Sequence, residues 1–271
     1  REMAARWTVG WMPQNTRLFL DWAREAKFTG KELLASGITK PQDEDNLSRG
    51  LWVRFGDRLM FPIHNPQGDV IAFSGRKLRE EQGGGKYINS PETPIFKKAN
   101  VLFGLHRAIR HMKDYAVVCE GQLDVIACHE AGVENAIATQ GTAITNEHAR
   151  SLKRYVSGNK VVLCLDADPA GHGAAVKGFS EMAAQGMDVR VAVMPPGEDP
   201  DSLVKSTGPD AFRSLLDEAS EFFDYRLRFL AHDNDLNDPG AKSRAVHELA
   251  PLLNALTDKT AQEASINFAA T

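Results

Sequence analysis

Three pairs of carboxylates stand just beyond short apolar runs. Glu120 follows 116–119 directly, with Asp124 four residues on; Asp166 and Asp168 follow 161–165; Asp199 and Asp201 come after 189–193. Where the backbone is extended, an i, i+2 spacing turns Asp166 and Asp168 the same way, and likewise Asp199 and Asp201. Like charges held close raise one another's pKa, so such a cluster is costly unless cations neutralise it. Hard oxygen donors in an open cluster suit two or more Mg²⁺ or Mn²⁺ ions shared with substrate phosphates. Two ions about 3.5–4 Å apart can activate an attacking hydroxyl and stabilise a leaving pyrophosphate oxygen, which is phosphoryl or nucleotidyl transfer chemistry. Two other readings compete. Asp199 before Pro200 is also a natural helix cap. An Asp-x-Asp pair can serve a phosphohydrolase as nucleophile and acid, but that scheme wants a hydroxyl residue soon after the second Asp, and Pro169-Ala170-Gly171 follows here.

Such a cluster needs elements that bring its members to one edge. Runs 116–119, 136–138, 161–165 and 189–193 read as strands, and 122–131, 145–154 and 170–185 as helices between them. This β-α-β-α-β-α-β order implies a mainly parallel four-stranded sheet covered on both faces, with ligands beyond the carboxyl ends of the strands. Upstream, Arg-Leu-Met-Phe-Pro-Ile, then Asn65-Pro66-Gln67-Gly68, then Val70-Ile71-Ala72-Phe73 reads as a β-hairpin. Downstream of Asp201 the pattern is helical: Pro209 can open one helix, and 222–230 and 242–253 repeat apolar residues at three- and four-residue spacing. The expected architecture is α/β: a basic α+β subdomain over 1–113, a metal-binding domain over 114–208 and the start of a helical subdomain over 209–271.

Charge follows the same division. Residues 1–113 carry 19 Lys/Arg against 12 Asp/Glu, and residues 114–271 carry 13 against 24, so a net charge of −4 hides halves of +7 and −11. A basic half joined to an acidic half suits a polyanion held by one and cations gathered by the other. With 42% hydrophobic and 25% charged residues the chain of 271 is of ordinary globular composition, and no run reaches the roughly 18 apolar residues of a membrane span. Three scattered cysteines make no disulfide framework and no zinc site, and fit a reducing cytoplasm. Arg1 in place of an initiator Met, no visible leader, and an uncapped helical run at 261–271 read as a fragment of a longer chain.

At the carboxylates the sequence resembles the TOPRIM domain shared by bacterial primases, topoisomerases and certain nucleases. Glu120-Gly121-Gln122-Leu123-Asp124 is similar to its Glu-Gly-x-x-Asp element, and Asp166-Ala167-Asp168-Pro169-Ala170-Gly171 to its Asp-x-Asp element with trailing Ala-Gly. Within that superfamily the match is to the DnaG-type primase RNA-polymerase core. It is carried also by Arg58-Leu59-Met60-Phe61-Pro62-Ile63, Gly75-Arg76, Lys86-Tyr87-Ile88-Asn89-Ser90-Pro91-Glu92-Thr93, Leu102-Phe103-Gly104-Leu105, Gln140-Gly141-Thr142 and Gly197-Glu198-Asp199-Pro200-Asp201-Ser202-Leu203, in the family's order. Gln122 stands where the family favours an aromatic, and Leu165 where Tyr is frequent. The resemblance implies primer RNA synthesis from ribonucleoside triphosphates on single-stranded DNA. Glu120, Asp166 and Asp168 would bind catalytic metals, Asp124, Asp199 and Asp201 would complete the acidic pocket, and Arg58, Arg76, Lys86 and Lys97 or Lys98 would grip phosphates. It also implies a replicative helicase partner, contacted through a region expected to lie outside this chain, and no membrane; the family's zinc module is not expected here. Another TOPRIM enzyme, such as a nuclease, is the related alternative, though no nucleophilic Tyr is placed for strand transfer.

Other features read blandly. Gly83-Gly84-Gly85-Lys86 fails the P-loop spacing and reads as a loop presenting Lys86. His106 and His111 do not share a helix face, His172 could touch a phosphate, and Phe19, Trp22, Phe28, Phe222, Phe223 and Phe229 read as core.

Overall fold

A computed structural model describes residues 2–46, 49–166, 169–233 and 235–270. The chain divides into two units, Arg1–Val101 and Leu102–Thr271.

The first unit is built on the hairpin. It contains α1 (Glu2–Arg6), β1 (Gly10–Met12), α2 (Arg17–Glu25), α3 (Gly30–Ala35), β2 (Thr39–Pro41), β3 (Leu51–Val53), β4 (Arg58–His64), β5 (Val70–Lys77) and β6 (Tyr87–Asn89). Strands β1-β4-β5-β6 form an antiparallel sheet, and β2 pairs with β3. The β4–β5 turn closes on the Asn65 carboxamide, whose Oδ1 accepts the amides of Gln67 at 3.0 Å and Asp69 at 2.9 Å. Gly68 supplies the positive φ of +97° that this turn needs. Ile63, Ala72 and Phe96 pack beneath the hairpin, fully buried or nearly so. The aromatic residues of α2 and of the turn after it depart from the expected core placement: Trp22 is 54% and Phe28, three residues beyond the helix, 49% exposed. Their rings, with half-buried Phe19, form a surface chain with centroids 5.7 and 5.8 Å apart. Only Ala23 of this helix is buried, so its large apolar side chains lie off the seam it makes with the unit.

The second unit runs α4 (Leu105–Ala108), β7 (Tyr115–Cys119), α5 (Gln122–Glu130), β8 (Ala136–Ala138), α6 (Asn146–Tyr155), β9 (Lys160–Leu165), α7 (Pro169–Ala183), β10 (Asp188–Val193), α8 (Pro200–Thr207), α9 (Pro209–Asp217), β11 (Ser220–Glu221), α10 (Phe222–Asp233), α11 (Pro239–Ala255) and α12 (Lys259–Ala270). Its sheet has the order β11-β10-β9-β7-β8. The four anticipated strands are parallel, and β11 adds a short antiparallel fifth at the β10 edge, so the sheet is five-stranded rather than four-stranded. Two residues, Ser220 and Glu221, have no alternation to betray them. Strands β7 and β9 are buried almost throughout, as a parallel sheet covered on both faces requires. Their side chains join Leu152 of α6, Phe179 and Met182 of α7, Phe222 of α10 and Leu249 of α11 in one apolar core. Cys119, Cys128 and Cys164 are buried small hydrophobes within this unit. Among the described residues no helix is long and apolar enough to cross a membrane.

Candidate functional site

From β7 the chain crosses to β8 on one side, then returns to the other side of β7 as β9. Connections therefore diverge between β7 and β9, which opens a crevice at the carboxyl ends of the strands. Glu120 leaves β7 and Asp166 leaves β9 at this point, close enough for the Asp166 backbone N–H to donate to Glu120 Oε1 at 3.0 Å. Asp124, third residue of α5, accepts the Gly121 N–H on Oδ2 at 3.0 Å. Burial, then the charges of Asp199, Asp166 and Glu120, push the Asp124 carboxyl up to about 7, against the opposing pull of the Gly121 hydrogen bond. Four carboxylates thus share one field.

Asp199 caps α8 by accepting the Ser202 N–H on Oδ1 at 2.7 Å, so the capping reading and a place beside Asp124 both hold. Asp201 points its carboxylate along α8 to Lys205, 2.6 Å away. Asp168 lies outside the described residues. Among the described residues no group of three His, Cys, Asp or Glu side chains is gathered tightly enough to hold a metal ion by itself. The donor chemistry nevertheless fits a hard divalent cation: every group offered is an oxygen, and a cation relieves both the burial of the Asp124 charge and the repulsion that adds to it.

A cleft of about 430 Å³ opens beside Glu120, lined also by Thr139, Gly141, Thr142, Ile144 and Lys177. Sequence reading did not single out Lys177 on α7, because a lone Lys in a helix carries no motif. A second cavity of about 460 Å³, bordered by Asp188 of β10 and Phe268 of α12, has none of the five described carboxylates in its lining. The His172 ring packs on Tyr225 and Phe229 of α10. His111, exposed, pairs with Glu134 at 3.3 Å.

The basic residues of the hairpin do not all behave alike. Arg58, expected to grip phosphate, is only 3% exposed. Its guanidinium donates to the carbonyls of Gly75 at 3.1 Å, Gly83 at 3.3 Å, Gly85 at 3.0 Å and Lys86 at 3.4 Å. Burial lowers its pKa, yet five N–H donors on a planar fork suit a loop whose glycines leave bare carbonyls to satisfy. Arg58 is therefore a brace for the glycine loop and not a surface cation. Arg76 is half-buried, with its guanidinium 6.0 Å from the Tyr87 ring centroid. Lys86 and Lys97 are exposed; Lys98 is partly buried, and its backbone N–H donates to Glu92 Oε1 at 3.0 Å. Beside the loop, Lys77 pairs with Glu80 at 3.0 Å, and Arg79 with Asp57.

Comparison with known proteins agrees with this fold. Residues 1–109 match the family described as DNA primase catalytic core, N-terminal domain; residues 117–204 match Toprim-like; residues 223–271 match DnaB-helicase binding domain of primase. The last match corrects the expectation that any helicase-contacting region would lie outside the chain. A DNA primase of Streptomyces coelicolor is 37% identical over 264 residues, covering 96% of this chain and 40% of that protein. The chain spans about two fifths of the length of the curated relatives it matches. A crystal structure of a DNA primase domain from Pseudomonas aeruginosa aligns with a TM-score of 0.85 and 32% identity over 99% of this chain and 84% of that one. A DnaG primase catalytic domain bound to ssDNA aligns at 0.82 and 30% identity, covering 97% of this chain and 82% of that one.

Proposed function

The chain belongs to the bacterial DnaG-type DNA primase family, and from that membership we propose that it is part of the catalytic core of an enzyme that copies single-stranded DNA into short RNA primers. The carrying observation is the set of carboxylates at the divergence between β7 and β9, where Asp124 feels Asp199, Asp166 and Glu120. In this reading Glu120, Asp166 and Asp168 hold the divalent cations, with Asp124 and Asp199 completing the negative field and Asp201 at its edge. When bound, Mg²⁺ or Mn²⁺ would neutralise charge on the α-phosphate and ease ionisation of the attacking 3′ hydroxyl. The protein's own part is to hold these oxygens in a preorganised cluster before substrate arrives.

The basic half, 1–113, holds the template through Arg76, Lys86, Lys97 and Lys98, with Arg58 bracing the loop that presents Lys86. The segment 114–208 forms the acidic domain, and 209–271 the start of the helical one. Support for DNA as the polyanion comes from the neighbour solved with ssDNA. Because 223–271 resembles a helicase-binding domain, helices α10–α12 are the proposed contact for a DnaB-type replicative helicase.

The test is primer synthesis by the full-length protein on single-stranded DNA with ribonucleoside triphosphates and Mn²⁺. Glu120→Gln and Asp166→Asn should each lower synthesis by about 10²-fold or more, the scale of losing a principal transition-state contact. Template-independent hydrolysis of a simple phosphate ester, lost in the same variants, would instead favour the phosphohydrolase.

A further inference from the structure

We propose that Tyr225, acting through His172, is a positioning residue for Asp166, at the point where β9 gives way to α7. The inference rests on the functional reading above, since it assigns a role at the same acidic site.

Asp166 follows the last residue of β9 and is held from two sides. At the strand end, β9 is clamped in the sheet between β7 and β10. At the helix end, the first turn of α7 is seated directly on Asp166: a Cβ added to Gly171 would fall 2.1 Å from the Asp166 carbonyl oxygen. The next residue, His172, turns its ring to α10. There the Tyr225 ring stacks on it, with centroids 5.4 Å apart and planes 22° apart, and the Tyr225 hydroxyl hydrogen-bonds to His172 Nδ1. Phe229, one turn further along α10, places its ring centroid 3.8 Å from that of His172. Two turns along α7, Phe179 stacks on Phe222 with centroids 3.9 Å apart. The two helices are thus joined antiparallel by rings at both ends.

A packed ring contact alone would stabilise the helix pair, but it would not set the azimuth of α7 about its own axis. The directional hydrogen bond does, because it fixes where the His172 side chain points from the first turn. Rotation of that turn must displace Gly171, and with it the Asp166 carbonyl against which it sits. Burial pushes the Tyr225 hydroxyl up to about 12, so it stays protonated, and available as a donor, throughout the working range. His172, which the sequence offers as a phosphate contact, is thereby given other work.

The experiment uses the full-length protein with Tyr225→Phe, which keeps the stack and removes the hydroxyl, and with His172→Asn and His172→Leu. Hydrogen exchange of amides 166–173 should quicken about three- to tenfold in Tyr225→Phe and His172→Leu, the scale of one buried hydrogen bond. Mn²⁺ affinity by calorimetry should weaken by a similar factor. In primer synthesis kcat should fall while the KM for ribonucleotide holds. His172→Asn, which keeps a polar atom near the position of Nδ1, should recover part of each loss. Asp166→Asn is the control for the metal reading: if it leaves Mn²⁺ binding intact, that reading fails, while hydrogen exchange still decides the positioning role. Unchanged exchange across 166–173 in Tyr225→Phe and in His172→Leu overturns the inference.

Discussion

Asp124 is held in its folded environment with a pKa of about 7, above its ordinary value of 3.8. A carboxyl raised on folding binds its proton more tightly in the native state than in the unfolded chain, so stability falls as pH rises through the interval between those values and stays lost above it. Without divalent cations, the Tm should therefore drop by several degrees between about pH 4 and 7. Asp124→Asn should flatten that decline, and so should added Mn²⁺, because either removes the cost of an ionised buried carboxylate. Thermal melts across pH read both effects, and a decline as steep in Asp124→Asn as in the parent would refute the assignment. Asp199 and Asp201 should part company in the same melts. Asp199→Ala loses an N-cap worth about 1 kcal/mol, whereas Asp201→Asn breaks only a pair with an exposed Lys205 and should change Tm by about a degree or less. The nearness of Glu120, Asp124 and Asp166 was legible in the sequence because Glu120 and Asp166 directly follow apolar strands of one sheet and Asp124 lies in the first turn of the helix after Glu120. The sequence misled at Arg58, since a guanidinium has the same chemistry whether it faces phosphate oxygens or glycine carbonyls, and only the fold of 83–86 decides between them.

At the scale of elements, periodicity located what is long or repeated. The hairpin β4–β5, the four parallel strands and the helices after Asp201 were readable because each carries several apolar positions in register. Strands β1, β2, β3 and β11, of two or three residues, were not, for they are defined by partners rather than by their own pattern. The face of α2 was misread for a related reason: large aromatics at helical spacing mark an amphipathic stripe without saying whether anything covers it, and here Trp22, with Phe28 just past the helix, stays exposed. The glycine loop is an element that owes its shape to one side chain. Arg58→Lys keeps the charge but cannot bridge four carbonyls, so it should destabilise the first unit by about 2 kcal/mol and open 83–86 to limited proteolysis. A loop as protected in Arg58→Lys as in the parent would mean that its glycines hold their conformation unaided. Gly75→Ala provides a steric counterpart, because the added Cβ would come within 2.8 Å of Phe55 Cδ1 and 3.1 Å of Arg58 Cδ.

Across the whole molecule, the opposed charges of the two halves, +7 over 1–113 and −11 over 114–271, make separable predictions about salt. Binding of single-stranded DNA releases counterions in proportion to the phosphates neutralised, with a slope of log affinity on log salt of about −0.7 per contact. Replacing Lys86, Lys97 and Lys98 together by Ala should make that slope shallower by about 2, and should weaken binding evenly across template sequences, since phosphate contacts carry no base readout. Glu120→Gln and Asp166→Asn should leave the slope as it is in metal-free buffer, because neither residue donates to phosphate directly. Arg58→Lys should also leave it, if bracing rather than gripping is the work of that guanidinium. Fluorescence anisotropy of labelled single-stranded DNA over a series of salt concentrations reads all four variants in one format. A slope unmoved by the triple lysine variant would take the template away from the hairpin unit, and a slope made shallower by Arg58→Lys would return that residue to the surface cations from which its buried hydrogen bonds remove it.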